Sequence, residues 1–207
     1  MRSLAGRGRA MDVTIESLKK ERTYSEELGI DLKGGDDGEI FKWFLASVLF
    51  GARISETIAM RTYHAFERYD LLTPERILKA GWDFLVNPVM REGGYVRYDE
   101  KTSREVLRNC EMLMGEYGGS LNRLHREARD ALDLEMRLLR FYGVGPVTVN
   151  IFLRELRPYW RKSDPEPLAI VVETARRFAI DLGNVKRKSV AFTRIEAGLV
   201  RLRKARP

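Results

Sequence analysis

The stretch LRFYGVGPVTVNIF, residues 139–152, sets two glycines and a proline between two apolar runs. The spacing predicts a helix that stops, a tight turn, and a second helix that starts at once. A plain connector between helices needs at most one glycine. Here Gly143 and Gly145 both fall in the turn, where the lack of a Cβ lets another backbone come close. Pro146 suits the first helical position, because the N–H it lacks would have no partner there anyway. The first amides of the second helix are unpaired within it and lie at the positive end of its dipole, an arrangement that accepts an anion such as a phosphate. Leu138, Phe141 and Val144 on one side, and Val149, Phe152 and Leu153 on the other, frame the turn with apolar side chains. The competing reading is an ordinary hairpin of two helices with no ligand.

Outward from the turn, nearly every segment has helical spacing. Residues 39–51, EIFKWFLASVLFG, are apolar almost all round and predict a buried central helix. In SETIAMRTYHAFERY (55–69), Ile58, Ala59, Thr62 and Phe66 share one face. TPERILKAG (73–81) carries a Thr cap, Pro at the first helical position and a closing Gly. Val106, Cys110, Leu113 and Tyr117 recur at helical spacing within 99–119, so Cys110 reads as a core residue. Helices are also expected over roughly 133–142 and from the turn to about Leu156. Pro165 and Pro167 interrupt the chain. A helix is expected to follow from about Glu173 or Thr174, with Ala175, Phe178 and Leu182 on one face. Trp43 and His64 read as core residues. No strand alternation, internal repeat or low-complexity tract stands out, and the expected class is all-α.

The 207 residues are 44% hydrophobic and 32% charged, enough for one substantial core or for two small lobes. No run is apolar for long enough to cross a bilayer. The opening MRSLAGRGRAMDV has arginines but not the apolar stretch of a secretory signal, so a cytoplasmic protein is expected. A single cysteine excludes an internal disulfide and any cysteine-ligated zinc or iron–sulfur centre. Two histidines are too few for a histidine-based site, so no metal is expected. Glutamine is absent while Arg, Lys and Glu abound, as in heat-stable proteins. The net charge is +7, and residues 184–207 hold eight basic side chains against one acid, Glu196. A neutral body with a basic end suits a polyanion, nucleic acid before membrane, although a solvated basic tail reads the same way. GRGRA near the start is either a basic arm or an extension ahead of an initiator at Met11.

From Phe41 to Leu182 the order of features resembles the helix-hairpin-helix, endonuclease III-like DNA glycosylases. FKWFLASVLFGARISETIA resembles that family's first barrel helix and the loop after it. VRYDEKTSREVLRNCEMLMGEYGG resembles its Tyr–x–x–Lys helix start and long helix, LLRFYGVGPVTVNIFLREL its hairpin, and LAIVVETARRFAI the segment with the catalytic aspartate. The resemblance implies a two-lobed all-α fold. A six-helix barrel lobe over 39–150 would end in the hairpin, a second lobe would combine 12–38 with 151–207, and 1–11 would form a disordered arm. Double-stranded DNA would lie in the cleft, with one nucleotide extruded and its glycosidic bond cut, which implies a nucleoid-associated enzyme of base-excision repair.

Departures from the family pattern shape the expected chemistry. Bifunctional members carry a lysine two residues after the second hairpin glycine, and here that position is Val147. The resemblance therefore implies a monofunctional hydrolase with no lyase step. The residue matching the catalytic aspartate is Glu173, whose carboxylate is one methylene further from the backbone; the alternative is an acid favoured by a helix's first turn. Asp164 is the fallback carboxylate by spacing. The iron–sulfur cysteines are missing, so no cofactor is implied beyond a monovalent cation at the hairpin. The expected DNA contacts are Gly143, Val144, Gly145, Val147 and Thr148 of the hairpin, Arg53 as the side chain filling the gap of the flipped base, and Lys162, Lys186, Arg187 and Lys188. Tyr159 and Trp160, interleaved with basic residues, either stack the extruded base or close the gap between lobes. The readings in competition are a non-catalytic helix-hairpin-helix DNA-binding protein and a helical interaction protein.

Overall fold

The computed structural model describes residues 13–205; the 1–11 arm and GRGRA lie outside the described residues. Twelve α-helices follow one another, with no strand among the described residues. They are α1 (Ile15–Leu18), α2 (Tyr24–Glu27), α3 (Asp37–Gly51), α4 (Glu56–Arg68), α5 (Pro74–Phe84), α6 (Arg91–Gly93), α7 (Asp99–Tyr117), α8 (Leu121–Glu127), α9 (Ala131–Leu138), α10 (Pro146–Leu156), α11 (Ala169–Arg177) and α12 (Val190–Arg201). The protein is all-α, and none of these helices is long and apolar enough to cross a membrane.

Helix α3 starts where Asp36 accepts from the amides of Gly38 (2.8 Å) and Glu39 (3.1 Å), an N-cap that satisfies two otherwise orphaned donors. From Ile40 to Leu49 all but Lys42 are buried, so the helix is enclosed on every side. Its main partner is α10. Phe44 meets Phe152 edge-on at 5.5 Å and Phe141 at 5.1 Å, and Trp43 Nε1 donates to the Phe152 carbonyl (3.0 Å). Each large side chain enclosed this way contributes about 1.5–3 kcal/mol. The hairpin is thus fastened to the largest apolar cluster of the protein. A second, smaller cluster joins Leu18 of α1 with Val171 and Ala175 of α11 and Ile195 and Leu199 of α12. Segments near both limits of the described residues meet there, whereas 24–32 and 151–160 add side chains to the larger cluster.

Two glycines permit close helix contacts. At Gly93 an added Cβ would stand 2.5 Å from the Thr62 Cα and 2.7 Å from its Cβ, so α6 touches the α4 backbone. Gly93→Ala is expected to lower stability by about 1–3 kcal/mol through overpacking, checked by chemical denaturation. At Gly51 an added Cβ would lie 2.9 Å from the Thr148 Cβ, which locks the end of α3 against the first turn of α10.

Two expectations need correction. Helix α11 begins at Ala169, four residues before Glu173, so Ile170, Val171 and Val172 are helical despite their branching. Val171, Thr174 and Ala175 are buried, and packing on α12 outweighs the weak β preference of these residues. His64 is exposed and pairs with Glu67 at 3.0 Å. The apolar face of α4 runs through Ala59, Thr62, Tyr63 and Phe66, and one position past Tyr63 the helix has turned toward solvent. Trp43 and Cys110 are buried, and burial pushes the Cys110 thiol well above its ordinary range.

Candidate nucleic-acid interface

The turn between α9 and α10 carries the predicted geometry in narrowed form. Gly143 has φ +71° and Gly145 is the N-cap of α10 in extended backbone, with no side chain bonded to the helix end. Among the described residues nothing accepts from the amides of Gly143, Gly145, Val147 or Thr148. The Val144 amide donates to the Phe141 carbonyl (3.2 Å) and the Val149 amide to that of Gly145 (3.0 Å). The amides left without an acceptor are therefore these four rather than the whole run 143–149. Gly143 and Val147 are exposed, while Val144 and Thr148 are buried and anchor the turn.

Asn109 of α7 holds the entry to the turn: its Oδ1 accepts from the Tyr142 amide (2.7 Å) and its Nδ2 donates to the Tyr142 carbonyl (3.0 Å). Sequence reading missed this clamp, whose only signal was an amide on the apolar face of α7. Beside the turn opens a cavity of about 340 Å³ lined by Gly143, Arg53, Tyr98, Lys101 and Glu105, among others. Arg53 therefore borders the hairpin. Arg108, which the sequence did not single out, lies over the Tyr142 ring at 5.1 Å. One feature opposes anion binding here. An added Cβ at Gly143 would sit 2.5 Å from Glu105 Oε2, so a carboxylate abuts the turn, only loosely paired with Lys101 at 3.6 Å. Glu105→Gln is expected to raise duplex affinity roughly threefold to tenfold at low salt and to lose that gain as salt screens the charge; fluorescence anisotropy across a salt series reads it.

Of the four other proposed DNA contacts, Lys162, Arg187 and Lys188 are engaged within the protein. Lys162 Nζ donates to the carbonyls of His125 (2.7 Å), Arg126 (3.0 Å) and Ala128, where it closes the C-terminus of α8. Arg187 binds Asp164 (2.7 Å) and Glu166 (2.8 Å), and Lys188 donates to the Arg161 carbonyl. Lys186 is exposed on the same segment. Asp164 stands between Arg187 and the buried Arg157 (3.1 Å). Glu173 is exposed at the fifth position of α11 rather than in its first turn, with no pairing group among the described residues. It lies one turn along from Ile170, which lines a cavity of about 190 Å³ shared with Val147.

Trp160 is a core residue: it stacks on His125 (4.5 Å, 7°), meets Phe152 edge-on and donates to Asn122 (3.1 Å). Tyr159 is 38% exposed and lines a separate cavity with Glu155 and Arg194. His125 Nε2 accepts from the Lys162 amide (3.3 Å), which requires a neutral ring. Burial, then Lys162 and neighbouring arginines, pushes the His125 pKa down to about 4. Because the unfolded chain takes up this proton first, stability is full above about pH 6.5 and falls as pH drops toward about 4. His125→Phe keeps the stack and is expected to flatten that limb of the Tm-against-pH curve.

No family model matches the sequence and no curated protein matches it. Among solved structures the chain is similar to one described as a trapped endonuclease III–DNA covalent intermediate, an estranged-adenine complex. That match has 15% identity and a TM-score of 0.44, and covers 92% of this chain and 84% of that chain.

Proposed function

We propose that the protein grips duplex DNA with the 139–152 hairpin and hydrolyses the glycosidic bond of a damaged or mispaired base, without a lyase step. The observation that carries this reading is the set of unpaired amides at Gly143, Gly145, Val147 and Thr148, on a turn bordered by Arg53 and Lys101. Such a turn binds backbone phosphate and reads no sequence. Val147 supplies no amine, and the Lys162 amine is held by three carbonyls. Borohydride should accordingly trap no protein–DNA adduct. Glu173, exposed near the Val147 cavity, is the carboxylate that would activate water; Asp164, held between two arginines, serves the fold.

A panel of duplexes carrying uracil, alkylated, oxidised and mispaired bases tests this reading, each run with and without alkali so that abasic products become visible. Base release that disappears in Glu173→Gln is expected. Absence of any release, or turnover unchanged by that substitution, removes the catalytic part. One observation favours the runner-up, a non-catalytic DNA-binding protein: no described residue orients the Glu173 carboxylate. That reading expects binding that weakens steeply with salt and no base release.

A further inference from the structure

The outer face of α9 carries apolar side chains that the fold leaves in water. Leu132 is 70% exposed and Met136 56%, and Leu139 and Tyr142 are exposed as well. The first three stand at i, i+4 and i+7, one above the other on a single face. These are four of the eight large apolar side chains exposed among the described residues, gathered within positions 132–142. The opposite face of α9 is the one the core uses, through Leu134 and Leu138. Single exposed apolar residues are ordinary on a protein surface, but a stripe at helical spacing has the pattern of a docking face.

The ion-paired charges bordering the stripe cancel. Arg129 and Arg137 meet Asp133 at 3.5 and 3.3 Å, Arg137 also lies 3.7 Å from Glu127, and Arg140 meets Glu116 at 2.7 Å. Three arginines thus stand against three carboxylates. Such a face gives a polyanion little to hold. In a chain of net charge +7 it is where a second copy approaches without strong repulsion. The spacing is also self-complementary. Two antiparallel copies of α9 put Leu132 of each opposite Leu139 of the other, and the two Met136 side chains meet between them.

We propose that a second copy of this chain docks on α9, the two helices antiparallel about a two-fold axis beside Met136. The contact is apolar at its centre, with the internally paired charges as its rim. Four side chains per copy fall short of the roughly 800 Å² per partner of a standard interface. The pair is therefore a weak one, with a dissociation constant on the order of 10–100 μM. It rests neither on DNA binding nor on catalysis.

Sedimentation velocity of the full chain, from about 1 μM to several hundred micromolar, reads this directly. The wild type is expected to pass from monomer to dimer across that range and to keep the dimer in high salt, unlike a contact built on charge. Met136→Arg places two like charges at the axis and is expected to weaken the dimer at least tenfold at unchanged Tm, because the side chain is exposed. Leu132→Glu and Leu139→Lys should each weaken it as well. The double variant should restore it, since the introduced acid then faces the introduced amine of the other copy. Within one chain those positions lie two turns apart, about 10 Å along the helix, too far to pair with each other. A chain that stays monomeric throughout overturns the proposal, whatever else covers the stripe. So does a dimer that salt dissolves or that Met136→Arg leaves intact. Loss in both single variants without recovery in the double would overturn the antiparallel pairing.

Discussion

Glu196→Gln is expected to lower the unfolding free energy by about 3–5 kcal/mol, seen as a lower denaturant midpoint at unchanged slope. Glu196 is 0% exposed and pairs with Arg157, which is 1% exposed. Arg157 reaches from the end of α10 to α12 and to the loop at Asp164 and Pro165, so one guanidinium joins three segments. Removing the carboxylate's charge leaves that guanidinium buried with only Asp164, which is already shared with Arg187. The converse is as informative: converting both Arg157 and Glu196 to Met should recover most of the loss, since an apolar pair carries no desolvation penalty. A single substitution costing less than about 1 kcal/mol would contradict a dry ion pair here.

Gly145→Asp is expected to separate folding from DNA binding. Gly145 has the extended backbone of an N-cap (φ −101°, ψ 179°) and open space where a side chain would go. An aspartate there would bond the Val147 or Thr148 amide and cap α10, giving a few tenths of a kcal/mol of added stability. The same bond would occupy the amides assigned to phosphate and place a negative charge against it. Each lost hydrogen bond to a charged group is worth about 1.5–3 kcal/mol, so duplex affinity should fall roughly tenfold to a hundredfold or more. Anisotropy titrations and thermal melts on one preparation check both halves. Unchanged affinity would remove the hairpin from the interface.

How much of this was legible in the sequence depends on how local each cause is. The turn was legible because Gly143, Gly145 and Pro146 act through their own backbone preferences, and α3 was legible because its apolar run is continuous. Helix α11 was placed late because its start is decided by α12 packing against Val171 and Ala175, which no local signal reports. Charge roles were the least legible. Lys162 caps α8 from more than thirty residues away, and Glu155 accepts from the amides of Tyr24 and Ser25 (2.9 Å each) across some 130 positions. A basic residue counted along the chain looks free until its distant partner is known.

The contact of Gly51 with Thr148 has a consequence for how this surface evolves and moves. It holds the Arg53 loop against the hairpin, so the spacing between the two is set by one backbone-to-side-chain contact. Any lineage that acquires a side chain at 51 must shrink residue 148 in step, or that spacing widens.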